Sequence, residues 1–413
     1  MKLRLFAFSI LVSLSFTYAG AQADTGWRGP GRTGIYNETG LLKEWPAAGP
    51  ALIWESSDAG TGYSSVTAAA DAVYITGRKN NHDVLTAYSP DGKKKWDVVY
   101  GKSSTSNYPD SRSTATVYKD KIFVVSGEGD MVCVGKEGKI KWSVNYFKKY
   151  GASEPRFGIS ESPVVVGNKV IGTPGGNMAS MAAFDIETGT VVWTSEPVNE
   201  LTQYVNPLLI EEKGKKLIVT VTIGHILGVD PDNGKLLWKV NYEAMNDVQG
   251  GRRNHTNTPV YRDGHLLVAN GYNQAAVKLK INWDGSAPVV VWKNTDLTPH
   301  VGGAVLLGNY IYSSTHDNNT MGRWICVDWT TGKTMWMSSW HNKGSVISAD
   351  GMLIIYEEKS GHVGLVRPNS RKLEVISEFQ VNKGSGPFWA HPVIYMGRLF
   401  LRHGEYLAVY SLK

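Results

Sequence analysis

At 413 residues the chain is long enough for two or three ordinary domains or for one large repetitive one. Its net charge of +6 is a mild basic bias, and no Lys/Arg cluster forms the stripe that tracks nucleic acid, so that class is excluded.

The chain opens with Lys2 and Arg4 before an apolar run from Leu5 to Phe16, followed by Ala19, Gly20 and Ala21. The run is too short to span a bilayer and ends in small residues, so residues 1–21 are expected to be a secretory signal peptide. No later stretch is long enough to span, and no cysteine stands at the cleavage point for a lipid anchor. An exported, periplasmic or extracellular, monomeric protein is expected. Residues 22–49 form a leader segment, and residues 50–413 form a single domain.

That domain is an array. Six segments end alike, at Trp96, Trp142, Trp193, Trp238, Trp292 and Trp336, each preceded by a turn such as PDG, ETG or DNG. With Trp54 and the degenerate segment ending at Val375, the spacing is roughly 40–55 residues, the period of a propeller blade. Each unit opens with a short apolar run, a turn and a second apolar run, as in ESPVVVGNKVIGTPGG or NTPVYRDGHLLVANGY. Four short strands per unit predict an all-β, eight-bladed β-propeller, with seven blades if one degenerate unit is miscounted. The last unit supplies three strands, and the segment around Trp54 supplies the fourth, closing the ring and removing its free sheet edges.

The elements AFDIETGTVVW, Ala183 to Trp193, and CVDWTTGKTMW, Cys326 to Trp336, resemble the tryptophan-docking repeat of quinoprotein alcohol dehydrogenases and their non-enzymatic relatives. The leader WRGPGRTGIYNETGLLKEW, Trp27 to Trp45, is similar to that of exported PQQ-like propellers. The resemblance implies the fold and leaves the activity open. The repeat tryptophans are structural.

Cys133 and Cys326 take the motif position held by Ala87, Ala183, Gly228 and Ala408 in other blades, a position expected to need a small side chain. They fall in blades two and six of the ring. A disulfide needs Cα atoms within roughly 7 Å, so two separate buried thiols are expected.

The loop leading into each innermost strand should lie around the mouth of the central channel. His255, His300 and His341 share one offset before that strand in three consecutive blades, and His391 lies closer to its strand in the next. The other blades carry Thr61, Asp110, Ile159, Gln203 and Phe388 there. The three histidines are therefore expected to cluster as catalytic groups or, if a metal binds, as its ligands. Arg112 and Arg156 should approach from the opposite side, interleaved with Tyr63, Tyr204, Trp340 and Trp389. Loops between second and third strands add Tyr272 and His316 on the same face. Arg252 and Arg253 read as rim charge.

Three activities fit such a funnel. The first, implied by the resemblance, is a PQQ-dependent dehydrogenase. Against it, no adjacent-cysteine pair or CxxCH motif is present and no calcium-ligand set can be matched. The second is a carbohydrate-active enzyme or binder, in which histidine serves as base or divalent-metal ligand, arginine clamps a uronate carboxylate and aromatic rings stack on the sugar. Similar residue sets occur in propeller-fold polysaccharide lyases. Histidines without a supporting carboxylate suit a borderline transition metal better than calcium. The third is a protein-binding scaffold resembling the propeller subunit of the outer-membrane assembly machine. The expected ligand is a polar small molecule or polysaccharide, carbohydrate-like or anionic, with a protein partner as the alternative.

Overall fold

The structure, a computed structural model, describes residues 25–245 and 254–413. The expected signal peptide, Arg252 and Arg253 lie outside the described residues.

Eight antiparallel sheets form the ring, seven of them built around four consecutive strands. Blade 1 starts at Thr67–Ala68, blade 2 at Thr116–Tyr118, blade 3 at Val164–Val166 and blade 4 at Leu208–Glu212. Blades 5 to 8 start at Val260–Arg262, Ala304–Leu307, Gly344–Ala349 and Val393–Tyr395. The second and third strands of each blade are almost wholly buried and the fourth alternates, because inner strands are covered on both faces and outer strands on one. Blade 8 has three C-terminal strands, and Leu52–Ser56 pairs antiparallel with Tyr406–Ser411 to complete it. The eight-bladed reading and its split blade are borne out.

Neighbouring blades are locked by the repeat itself. The indole of Trp54 donates to Pro90 O of the next blade, and Trp96, Trp142, Trp193, Trp292 and Trp336 likewise donate to Lys136, Ile186, Pro231, Trp329 and Asn369. In five of these contacts the ring lies on the turn glycine of the following blade. A Cβ added at Gly92, Gly138, Gly189, Gly234 or Gly332 would come within 2.5 to 2.7 Å of the indole. The turn glycine is thus required twice, by its positive φ and by the ring upon it. Blade 5 breaks the series, since Gly285 faces open space.

Cys133 and Cys326 are free and buried, each paired across the sheet with the docking tryptophan of its own blade. Burial pushes both thiols up to about 12, so they are inert at neutral pH. The position is not always small. Blade 5 places Lys278 opposite Trp292, with its ammonium bonded to Trp329 O at 2.8 Å.

The leader does not lie on the outside. Thr25 bridges antiparallel to Val117 of blade 2, and Ile35–Tyr36 runs parallel to the innermost strand of blade 7. Between them the chain turns over inside the central channel, placing Trp27 to Thr33 just below the mouth. Gly29 and Gly34, at φ +68 and +72, permit the turn, with Tyr36 and the Arg28 guanidinium packed where a side chain would stand.

Candidate functional site

Arg28 fastens the leader tip. Its guanidinium is fully buried without a carboxylate, yet its donors reach Gly302 O, Val346 O, Thr33 O and Ala304 O at 2.6 to 3.3 Å and His391 Nδ1 at 2.9 Å. An arginine can only donate, so His391 Nδ1 must accept and its Nε2–H must donate to Val301 O at 2.7 Å. Burial first, then the Arg28 charge, pulls the His391 imidazole down to about 3. His391 is locked neutral, a strut rather than an acid or base, and Trp27 lies 5.1 Å from it.

Above this plug is a cavity of about 350 Å³, lined by lead-in loops of seven blades, by second-to-third-strand loops and, from below, by Trp27 and His391. One wall is an aromatic cluster. The Trp389 ring lies 4.9 Å from Tyr63 and 4.8 Å from Tyr108, and the Arg112 guanidinium covers Tyr63 at 5.2 Å. Tyr63 donates to Asp110 at 3.0 Å; burial, then that carboxylate, pushes its phenol up, so it stays neutral. Arg112 is held open by carbonyls, Nε donating to Phe157 O at 2.7 Å. The facing wall carries Phe157 and Tyr204, 5.8 Å apart, with Arg156 over the Phe157 ring at 5.3 Å. Asn206, Asn254, Thr256, Asn319 and Lys359 complete the polar lining. Among the described lining residues there are three permanent cations, Arg112, Arg156 and Lys359, and no carboxylate. Tyr108 and Tyr272 sit at φ +58 and +62, a left-handed backbone that bulky residues adopt only where the surroundings impose it.

The third wall holds a relay. Tyr272 Oη lies 2.9 Å from His300 Nε2, and His300 Nδ1 lies 2.9 Å from Glu358 Oε2. Glu358 is 1% exposed. Burial alone would raise its carboxyl, but His300, Lys343 and Lys359 outweigh burial and hold it below the ordinary value. The bond to Glu358 places a proton on His300 Nδ1, and Nε2 faces the Tyr272 hydroxyl. The wholly buried Lys343 lies 3.6 Å from Glu358 and donates to His316 Nδ1 at 2.9 Å, and His316 stacks on His300 at 4.5 Å. A proton leaving Tyr272 would thus enter an imidazole that is already oriented, beside a negative charge that stabilises the imidazolium. The wall can take a proton from a ligand or return one.

Eight of the twelve expected site residues line the cavity: Tyr63, Arg112, Arg156, Tyr204, Tyr272, His300, Trp389 and His391. His316 stands one layer behind. The expected cluster of His255, His300 and His341 does not form. The His255 and His300 loops are neighbours, as the Thr256 bond to His300 O attests, but shared register does not fix side-chain direction. His255 is buried against Tyr242 at 5.2 Å, with Nε2 3.2 Å from Ile223 O. His341 turns outward at φ +44 and stacks on His362, and Trp340 goes with it. The expectation that the histidines lack a carboxylate is also corrected, since Glu358 bonds His300 and Glu378 faces His341.

Trp27, Tyr108, Phe157, Lys359 and Glu358 were not among the expected residues. The rule that found Tyr272 and His316, applied to the equivalent loop EEKSGH of blade 7, selects Glu358, Lys359 and His362. No sequence signal places Trp27 in the channel.

The sequence profile of the family described as outer membrane protein assembly factor BamB matches residues 81–338. Among solved structures, the chain is similar to BamB from Moraxella catarrhalis, with TM-score 0.62 and 14% identity over 88% of this chain and 99% of that one. It is similar to a europium-containing methanol dehydrogenase, with TM-score 0.62 and 14% identity over 91% and 88%. It is also similar to the quinohemoprotein alcohol dehydrogenase ADHIIG from Pseudomonas putida HK5, with TM-score 0.63 and 12% identity over 92% and 79%. At these identities the likeness is one of fold. No curated protein matches the chain.

Proposed function

The chain belongs to the PQQ-like β-propeller family described as outer membrane protein assembly factor BamB, and on that premise we propose that its mouth binds an anionic, ring-bearing ligand of the acidic-sugar class. The observation that carries the reading is the lining of three cations and stacking aromatics without a described carboxylate. An arginine–carboxylate hydrogen bond contributes about 1.5–3 kcal/mol, enough to favour an acidic over a neutral sugar by one to two orders of magnitude. The Tyr63, Tyr108 and Trp389 faces suit a sugar ring, and the asparagines suit its hydroxyls. The relay from Tyr272 to Glu358 would supply the acid–base group for an elimination next to the ligand's carboxylate.

Calorimetric titration with uronate oligosaccharides and with their carboxyl-reduced counterparts tests the binding. Saturable binding of the acidic series alone is expected; equal binding of both, or of neither, contradicts the proposal. Absorbance of unsaturated product on the same substrates, present with the native chain and lost in Tyr272→Phe, tests the elimination. The N-terminal segment is the basis for placing this binding outside the cytoplasm, and N-terminal sequencing of the secreted product would find cleavage after Ala21.

A PQQ-dependent dehydrogenase fits these residues less well. Its calcium ion and its base both call for carboxylates facing the cavity. Asp110 and Glu358 stand behind Tyr63 and His300 and are engaged there. A protein-binding scaffold is favoured by the family description and by the exposed Val289, Val290 and Val291 on the outer strand of blade 5. A partner held there would bind equally well to mouth variants.

A further inference from the structure

Outside the mouth, on the same face but further from the axis, His341, His362 and Glu378 meet on the rim of blade 7. They come from its lead-in loop, the start of its third strand, His362–Arg367, and the end of its fourth, Glu374–Gln380. Among the described residues this is the one group of three potential metal-binding side chains whose ligand atoms all lie within 4.8 Å of one another. We propose that His341, His362 and Glu378 form a binding site for a divalent transition metal of the zinc, nickel or cobalt class.

The surrounding hydrogen bonds prepare two of the three ligands. Ser360 Oγ donates to Glu357 Oε2 at 2.6 Å, and that carboxylate also accepts from the Ser360 and Gly361 amides. With its proton committed, Ser360 Oγ can only accept from His362 Nδ1, 2.9 Å away. The tautomer is thereby fixed, and His362 Nε2 keeps its lone pair. On the other side the Trp340 indole donates to Glu378 Oε2 at 2.8 Å, which orients the carboxylate and leaves Oε1 turned to His341 Nε2 at 3.3 Å. Two donors bound tetrahedrally at about 2.1 Å stand roughly 3.4 Å apart, so this pair is already at chelating separation. The His341 and His362 rings lie face to face at 3.6 Å and 10°.

His341 is held in this place at φ +44, a backbone conformation that costs a non-glycine residue. Two imidazoles and one carboxylate favour a borderline metal over calcium or magnesium, and three protein ligands leave a coordination position for water. The loop Glu357 to His362 also carries Glu358 of the relay and Lys359 of the cavity, so a metal on His362 would stiffen the loop that shapes the mouth. The metal site does not depend on the identity of the mouth's ligand.

The test is titration of the purified chain, prepared without a polyhistidine tag and treated with chelator, with zinc chloride by calorimetry. One equivalent is expected, with affinity at least tenfold weaker in His341→Ala, His362→Ala and Glu378→Gln. Ser360→Ala and Trp340→Phe, which act on positioning, are expected to weaken it by about tenfold. His255→Ala should leave it unchanged. Cobalt(II) loaded on the native chain should give intense visible bands of a four-coordinate site, a readout that needs no variant to fold. Absence of saturable binding, or zinc affinity that survives His341→Ala with His362→Ala, would overturn the proposal.

Discussion

The girdle and the mouth of this propeller treat the same repeat in opposite ways. At the girdle one device recurs: an indole donates to a carbonyl of the next blade and, in five contacts, covers its turn glycine. At the mouth the loops of the blades present different residues, and the chemistry comes from the differences, with an arginine from blade 2, another from blade 3, a tyrosine from blade 5 and a histidine from blade 6. Recurrence builds the frame and departure from recurrence builds the site. Substitutions at the two places should therefore separate stability from binding.

The largest effect is expected at the girdle. Trp193→Ala removes a buried indole, its bond to Pro231 O and the cover over Gly234, and should lower stability by about 3–5 kcal/mol in urea unfolding. Gly189→Ala places a methyl group at φ +70 against Trp142, and a cost of about 1–3 kcal/mol is expected in the same assay.

A buried acid between the two regions gives a pH signature. Burial raises the Glu161 carboxyl from 4.5 to about 7, against the bonds that it accepts from Thr173 N. The folded state then holds the proton more tightly than the unfolded one. The stability so gained is fully present below pH 4.5 and lost as pH rises through about 7. Urea midpoints of the native chain should fall across that window more steeply than those of Glu161→Gln.

At the mouth the order inverts. Arg156 is exposed, with its guanidinium over the Phe157 ring and no hydrogen-bond partner among the described residues. Arg156→Ala should change stability by less than about 0.5 kcal/mol. Its effect should appear in the titration of an acidic ligand.

The same contrast explains what the sequence made legible. The frame was readable because its signals are periodic: a tryptophan, a turn glycine and a small residue recur, and the closure by Trp54 follows from counting strands. Much of the mouth was readable too, since aligning the blades places Tyr63, Arg112, Arg156, Tyr204 and Trp389 on one face. His255 and His341 misled because a common offset fixes where a backbone goes, while Tyr242 draws one ring inward and a positive φ turns the other outward. Glu358 escaped because its pairing with His300 joins residues far apart in the chain, and Trp27 because nothing periodic marks a segment threaded through the channel.

The central claim, that the cations at the mouth recognise a carboxylate, is tested most directly by a thermodynamic cycle. An acidic sugar oligomer and its carboxyl-reduced counterpart are each titrated against the native chain and against Arg156→Ala. The account predicts that the variant loses at least tenfold in affinity for the acidic ligand and little for the reduced one, with the unfolding midpoint unchanged. Equal losses for both ligands, or no loss for either, would contradict it.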